Sequence, residues 1–241
     1  MPFAYSSFMA LLLMVLLATS AHVAASGGVS LEQTRVVFSA GDSAQTVTVK
    51  NTGMQKYLIQ SRVQSDAIHV GTAPFVVTPP LFVLGPEHKQ LLRILRQSKA
   101  LPTDRESLFY LSVSAIPAQP EPVPETVRLS MGFQFVIKLF YRPTGLKEQP
   151  EEVPCRLQFT PTAKGVRVEN PVPYFQTLGS LMFDHRVMDL EKQPSMIAPM
   201  STVFYPTSQP VREVRWQTIT DVGGLSADCQ YSLPSSQGHK K

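Results

Sequence analysis

Two cysteines are the residues of this chain that could form a covalent cross-link or hold a metal ion. Cys155 and Cys229 both lie in the second half of the 241-residue sequence. A lone cysteine pair in an oxidising compartment typically forms a disulfide, and two unpaired buried thiols are the alternative. No Cys-x-x-Cys spacing or nearby His-x-His pair accompanies either cysteine, so a metal site is poorly supported. We predict a disulfide between them and no metal site.

The histidines form no set that resembles a catalytic or metal-binding motif. There are five, at His22, His69, His88, His185 and His239. Asp184 precedes one of them, but the pair is isolated. The chain contains no Gly-x-Ser-x-Gly elbow, no His-Glu-x-x-His helix and no phosphate loop. The sequence therefore predicts a protein that is not an enzyme.

The charge of the chain argues against a nucleic-acid partner. The formal net charge is only +4, and basic and acidic residues are mixed along the sequence. A nucleic-acid-binding protein needs basic residues clustered into a stripe or patch. A modest positive excess is compatible with an anionic group bound at one place.

The elements that must position any such group are β-strands. In residues 127–143, VRLSMGFQFVIKLFYRP, apolar side chains recur at every second position, which predicts a long strand with one apolar face. A proline-rich loop at residues 117–125 precedes it. Most proteins cover the edge of such a strand, so an uncovered one would be available to a partner. The apolar positions are Val127, Leu129, Met131, Phe133, Phe135, Ile137 and Leu139.

The rest of the chain predicts two domains after an export signal. Residues 1–25 contain a ten-residue apolar block and small residues at a cleavage site, which indicates a secretory signal peptide, with an uncleaved anchor as the alternative. Seven short apolar or alternating runs in residues 26–143 favour an immunoglobulin-like sandwich. A charged, proline-rich linker is predicted at residues 144–154, a smaller β-sandwich at 155–233 and a polar tail at 234–241.

Several segments resemble one family in their order along the chain. They include TRVVF at residues 34–38, PFVVTPPLF at 74–82, LPTDRESLFYLSVSAIP at 101–117, IKLFYRP at 137–143 and ITDVGG at 219–224. Together they are similar to the periplasmic chaperones of chaperone–usher pilus assembly, the PapD-like family. The resemblance implies an all-β fold of two immunoglobulin-like β-sandwich domains in an L-shape.

The resemblance also implies how a pilus subunit is held. Arg35 and Lys138 match a basic pair that binds the subunit's terminal carboxylate, which suits the strength of charge-assisted hydrogen bonds. Leu129, Met131 and Phe133 match apolar side chains that the strand lends to the incomplete fold of the subunit. Lys138 has the opposite parity to Phe133, so a regular strand would point them to opposite faces unless twist or a bulge intervenes.

Other positions carry implied structural roles. Glu106, Arg142 and Asp221 match an ionic cluster between the two domains of the family. Thr78-Pro79-Pro80 matches a turn in which the family often has a cis proline. The chain departs from the usual pattern at Arg62, Val83 and Ser112, where tryptophan, arginine and asparagine are common.

The predicted function is a periplasmic chaperone that binds pilus subunits and delivers them to an outer-membrane usher. The resemblance implies no cofactor and no nucleotide, and self-association of the free protein stays open. A secreted two-domain structural or adhesive protein is the alternative. A polymerising pilus subunit would carry an alternating apolar extension before its sandwich, whereas here the expected mature start leads directly into the first strand.

Overall fold

The structure is a computed structural model that describes residues 27–69, 71–97, 100–118 and 131–234. The predicted signal peptide and Leu129 lie outside these residues, as does the tail beyond Pro234. The described part of the chain is built from β-strands, with one short 3₁₀ helix at Pro150–Glu152 and no α-helix. None of its helices is long and apolar enough to cross a membrane.

The first domain is a sandwich of two sheets. One sheet has the strand order β1-β3-β7-β5 and the other β2-β9-β8-β4-β6. The strands are β1 Val29–Leu31, β2 Arg35–Ser39, β3 Gln45–Asn51, β4 Tyr57–Gln64, β5 Phe75–Thr78, β6 Leu81–Leu84, β7 Lys89–Arg96, β8 Ser107–Pro117 and β9 Phe133–Arg142.

The second domain is a smaller sandwich with its own core. One sheet has the order β10-β11-β15, and the other has the order β13-β12-β16-β17 with β14 paired to β12. The strands are β10 Gln158–Thr162, β11 Gly165–Asn170, β12 Gln176–Phe183, β13 Arg186–Val187, β14 Met196–Ile197, β15 Ser201–Pro206, β16 Glu213–Thr218 and β17 Cys229–Ser232. The predicted all-β fold of two immunoglobulin-like domains is confirmed.

Each domain buries a separate apolar cluster. In the first domain, side chains such as Phe38, Leu92 and Leu111 from both sheets meet with almost no exposure. In the second, Tyr205 and Trp216 lie among aliphatic residues of the two sheets. Alternate residues of each strand enter these cores, as expected of half-buried strands.

One run that the sequence predicts as a single strand is divided in the structure, and a second run is divided where the Thr78-Pro79-Pro80 turn interrupts it. The run at residues 29–38 forms β1, which pairs with β3, and β2, which pairs with β9 in the other sheet. The run at residues 75–84 is divided into β5 and β6 at a cis Thr78–Pro79 peptide bond. The hydroxyl of Ser61 on β4 donates a hydrogen bond of 2.9 Å to the carbonyl of Pro79 beside this turn.

The segment between the two cores is packed rather than extended into solvent. Val153 is buried with Val172 and Tyr174, and Leu146 packs against the same group. The hydroxyl of Tyr174 donates a hydrogen bond of 2.7 Å to the carbonyl of Glu148. Charged, proline-rich composition predicted a linker here, but its few apolar side chains fix it against the second domain.

The predicted disulfide is present in the second domain. Cys155 and Cys229 are bonded, with their Cα atoms 5.3 Å apart. The bond ties the chain just before β10 to β17, which otherwise pairs only with β16. Because the two residues are separated by 74 positions in sequence, the cross-link closes nearly the whole domain into one loop.

Candidate binding cleft

Strand β9 is paired differently along its two halves. Strand β8 pairs antiparallel with it from Phe133 to Tyr141 without interruption. Strand β2 pairs with its other edge in parallel, but only from Lys138 to Arg142. Among the described residues, therefore, the edge of β9 from Phe133 to Ile137 has no neighbouring strand.

The apolar side chains become less buried from the paired half of β9 towards its unpaired half. Leu139 is fully buried, and Phe135 and Ile137 pack partly against the core of the first domain. Phe133 is 51 % exposed, and Met131, which precedes the strand, is 63 % exposed. Of the predicted donor-strand residues, only Phe133 lies within β9, and Leu129 is outside the described residues.

The opposite parity of Lys138 and Phe133 persists in the structure. The register between β8 and β9 is continuous from the pair Ser107 and Tyr141 to the pair Ala115 and Phe133, with no bulge. Phe133 therefore points to the same side as Leu139, and Lys138 points to the outer face of the sheet. No bulge brings Phe133 and Lys138 to the same face of β9.

Arg35 and Lys138 face each other at the point where pairing begins. Arg35 is the first residue of β2 and is the register partner of Lys138 on β9. Directly opposed residues of neighbouring strands share a face of the sheet, so both cations lie on its outer side. The two predicted anchor residues are thus side by side at the end of the unpaired edge.

The guanidinium of Arg35 is oriented by groups from both domains. Its Nη1 donates a hydrogen bond of 3.1 Å to the carbonyl of Ile219, in the loop that follows β16. Its Cζ lies 5.8 Å from the centre of the Phe140 ring. Its Nε is buried and finds no acceptor within the described part of the chain. An unsatisfied buried donor costs free energy, which an incoming oxygen acceptor would recover.

The electrostatics of this pair favour an anion. Burial lowers the pKa of Lys138, and the positive charge of Arg35 lowers it further. Burial also lowers the pKa of Arg35, although Asp221 and Glu106 act in the opposite direction. Two partly buried cations on adjacent strands repel each other, and a carboxylate between them would stabilise both charged forms.

Arg142 joins two carboxylates across the interface between the domains. It makes ion pairs of 2.8 Å with Glu106 and 2.7 Å with Asp221. Burial would lower the pKa of Arg142, but its hydrogen bond to Asp221 and the charges of both carboxylates outweigh burial and raise it. The three residues of the predicted ionic cluster therefore do come together.

Glu106 is the most enclosed member of this cluster. It is 4 % exposed, and its carboxylate also accepts a hydrogen bond of 2.9 Å from the backbone amide of Phe175. Burial raises the pKa of Glu106, opposed by the charge of Arg142 and by the Phe175 amide. The negative charge of Asp221 also raises the pKa of Glu106, in the same direction as burial.

The loop after β16 places the second domain against the start of β2. Gly223 in this loop has φ of +86°, and a Cβ there would lie 2.4 Å from Oγ1 of Thr34. A side chain at this position is therefore excluded both by conformation and by space. The sequence motif drew attention to this loop through Asp221, but it gave no sign that the Ile219 carbonyl binds Arg35.

A cavity of about 580 Å³ lies between the domains next to these groups. Arg35, Glu106 and Phe140 of the first domain line it, together with residues 218–222 and 225–227 of the second. No group of three or more potential metal ligands occurs among the described residues.

Two of the positions that depart from the expected family pattern lie outside this cavity. Ser112 is buried beside Gln134, and Val83 is exposed on β6.

Comparisons with known proteins agree with this architecture. Residues 28–147 match the model "Pili and flagellar-assembly chaperone, PapD N-terminal domain", and residues 152–230 match "Pili assembly chaperone PapD, C-terminal domain". The chain is 39% identical over 208 residues to "Probable fimbrial chaperone protein ElfD" of Escherichia coli K12, covering 85% of this chain and 87% of that protein. It is 36% identical to chaperone protein FimC of Escherichia coli K12, covering 84% and 83%.

Solved structures resemble the whole described fold. A chain of the Salmonella enterica complex between the SafA pilin and the SafB chaperone superposes with a TM-score of 0.77 at 32% identity, covering 86% of this chain and 96% of that one. The Escherichia coli chaperone DraB superposes with a TM-score of 0.76 at 33% identity, covering 86% and 100%. With both halves of the chain matched by family models, this protein belongs to the PapD-like family of pilus-assembly chaperones.

Proposed function

We propose that this protein is a periplasmic chaperone that lends the first half of β9 to a pilus subunit and then delivers the subunit to an outer-membrane usher. Its family comprises pilus-assembly chaperones rather than enzymes. The observation that carries the proposal is the position of β2. It leaves the edge of β9 open from Phe133 to Ile137 and begins at Arg35, opposite Lys138.

The open edge has a defined length and end. A subunit strand that runs parallel to β9 along this edge would occupy the place in the sheet that β2 takes further on. Its backbone would form ladder hydrogen bonds with β9, as in other cases of strand addition. It would stop where β2 starts, so its terminal carboxylate would reach Arg35 and Lys138. The buried, unpartnered Nε of Arg35 is a donor for that carboxylate.

Apolar side chains beside the open edge supply the second part of the interaction. Phe133 and Met131 are more than half exposed although they continue the inward-facing row of β9. An incomplete immunoglobulin-like subunit lacks a strand, and these side chains would fill its core. Burial of a large apolar side chain contributes about 1.5–3 kcal/mol. Leu129 remains a predicted third contact.

The ionic cluster has an orienting role in this proposal. Arg142 connects Glu106 of the first domain to Asp221 of the second. The pair with Asp221 is partly exposed, and such pairs contribute only about 0–1 kcal/mol to stability. Its effect is to hold the loop containing Ile219 against Arg35. The domain angle and the anchor geometry are therefore coupled.

The proposed compartment agrees with the cross-link in the second domain. Disulfides form and persist in oxidising compartments such as the bacterial periplasm. The disulfide between Cys155 and Cys229 therefore supports a periplasmic location.

Delivery to an usher would need a surface separate from the open edge, and the outer face of the β6-β4-β8 sheet region offers one. There Val83, Leu58 and Ile116 are register neighbours and all are exposed.

The test is co-expression of the chaperone with its cognate pilus subunit. Arg35→Ala and Lys138→Ala should each lower the amount of subunit recovered in complex, since each removes one cation from the carboxylate site. Lys89→Ala is the matched control, because Lys89 is an exposed cation on the other sheet of the first domain. Thermal unfolding of each variant checks that it is folded. Unchanged subunit recovery with both anchor variants would show that the carboxylate assignment is wrong.

A further inference from the structure

The cavity between the domains begins at one member of the cation pair and extends away from the open edge. Arg35 lines it and Lys138 does not. Phe140, two residues beyond Lys138 on β9, forms part of its wall in the first domain. Ile219 and Leu225 line it from the second domain. A strand that ends on Arg35 and Lys138 would therefore have this cavity directly beyond its last residue.

The cavity is suited to a side chain rather than to a second charged group. Its volume of about 580 Å³ exceeds that of any single amino-acid side chain, and pockets of about 300–1,000 Å³ commonly hold ligands. Phe140, Phe175, Ile219 and Leu225 give it apolar walls. Leu225 lies close to Gly179 on one side. Because Leu225 is still 57 % exposed, part of its apolar surface is available to an occupant of the cavity.

The charged groups around the cavity make it unfavourable for an anion away from Arg35. Glu106 and Asp221 are both paired with Arg142. Glu151 and Glu152 also line the cavity, and neither forms an ion pair within the described part of the chain. The lining thus holds four carboxylates and two guanidinium groups, Arg35 and Arg142. If a client carboxylate binds Arg35, the remaining charge of the cavity is negative.

We propose that this cavity receives the side chain of the client's carboxy-terminal residue and selects an apolar side chain over an acidic one. The inference rests on the proposed function, because it takes the client carboxylate to lie on Arg35 and Lys138. The carboxylate then fixes the terminal Cα one bond away, within reach of Phe140 and Ile219. The apolar walls favour a large hydrophobic side chain, and the negative charges of Glu151 and Glu152 disfavour aspartate or glutamate.

The experiment uses synthetic peptides as probes for the full mature chain. Each peptide alternates apolar and polar residues, ends in leucine, glycine or glutamate, and is made with a free carboxylate and as the amide. Fluorescence polarisation measures the dissociation constants. The leucine peptide should bind about tenfold more tightly than the glycine peptide, because burial of about two methylene-sized groups corresponds to roughly that factor. The glutamate peptide should bind more weakly than the glycine peptide.

Two variants identify the cavity as the source of this preference. Leu225→Ala should reduce the advantage of the leucine peptide and leave the glycine peptide unchanged. Glu151→Lys, at an exposed position, should restore binding of the glutamate peptide by several-fold, about the effect of one nearby charge. Val187→Ala is the control for Leu225→Ala, since Val187 is an exposed aliphatic residue of β13 outside the cavity.

The outcomes separate this inference from the proposed function. If the amides bind as tightly as the free acids, the carboxylate anchor is wrong. If the free acids bind more tightly but leucine, glycine and glutamate give equal dissociation constants, the anchor stands and the cavity selects nothing, which overturns the inference. A leucine preference that persists in both Leu225→Ala and Glu151→Lys, with the glutamate penalty intact, also overturns it.

Discussion

The two halves of β9 share one sequence pattern but differ in what surrounds them. From Lys138 to Arg142 the strand lies between β8 and β2, and its inward side chains are buried. From Phe133 to Ile137 it is paired with β8 alone, and its inward side chains become progressively exposed. Apolar residues occupy every inward position through both halves, from Phe133 to Tyr141.

This difference shows that neighbouring strands, and not the hydrophobic pattern, decide whether an apolar residue of β9 belongs to the protein's own core or is available to a partner. An apolar side chain on a strand is buried only where another strand and the facing sheet cover it. Strand β2 provides that cover for one half and ends at Arg35. The boundary between the halves is therefore marked by the cation pair.

The largest effect is expected from substitution in the covered half. Leu139→Ala removes a fully buried side chain from the core of the first domain. The transfer and cavity contributions together should lower the free energy of unfolding by about 2–5 kcal/mol. Urea unfolding, followed by circular dichroism of the backbone, measures this change in the free energy of unfolding. A loss below about 0.5 kcal/mol, the level of ordinary surface substitutions, would contradict the assignment of this half to the core.

A smaller effect of a different kind is expected in the open half. Phe133→Ala should weaken binding of the cognate pilus subunit by about 1.5–3 kcal/mol because the aromatic side chain no longer enters the subunit. The free energy of unfolding should change little, since Phe133 is already 51 % exposed. Calorimetric titration and urea unfolding measure the two quantities. Val136→Ala is the control, because Val136 lies in the same half on the outer face.

The reverse result for Phe133 would remove the distinction between the halves. If Phe133→Ala destabilises the free chaperone as strongly as Leu139→Ala and leaves subunit affinity unchanged, Phe133 belongs to the chaperone's own core. The open edge would then need another explanation.

Backbone protection should distinguish the halves without any substitution. Amides of β9 that point toward β2 are hydrogen-bonded in the covered half, whereas amides on the same edge of the open half have no strand partner. In the free protein, hydrogen exchange should be faster for the peptide spanning residues 133–137 than for residues 138–142. Bound subunit should slow exchange in the first peptide most. Equal protection of both segments in the free protein would show that the open edge is already covered.

The smallest expected effect concerns the ionic cluster that supports the covered end. Burial raises the pKa of Glu106, so the folded state binds this proton more tightly than the unfolded state. The contribution of Glu106 to stability should therefore be greatest below its ordinary pKa and fall as the pH rises through the raised value. Over this pH range, the free energy of unfolding measured in urea should decline less steeply for Glu106→Gln than for the wild type. Parallel pH profiles would contradict a raised pKa.

Sequence patterns were sufficient to predict much of this arrangement. Alternation predicted β9, and the family resemblance implied the cluster of Glu106, Arg142 and Asp221, which do form ion pairs. The cysteines predicted the disulfide because two cysteines in an exported chain allow only one pairing within the chain. Side chains with strong preferences for pairing or burial leave a signal in sequence.

Features that depend on the backbone had no such signal. The division of residues 29–38 into β1 and β2 follows from pairing with two different sheets, which local composition does not encode. The carbonyl of Ile219 and the amide of Phe175 bind Arg35 and Glu106 through groups that every residue carries. The cavity arises only when the domains meet, so neither domain's sequence predicts it. The place of Leu129 remains a prediction.

Gly223 has a practical consequence for protein engineering. Its backbone lies so close to Thr34 that a methyl group at this position would collide with the threonine hydroxyl. Thr34 immediately precedes Arg35, whose guanidinium donates a hydrogen bond to the Ile219 carbonyl in the same loop as Gly223. A chimera that exchanges the second domain between chaperones must therefore transfer a matched contact as well as a folded module. Glycine at this site is part of the contact that a transplanted domain would have to reproduce.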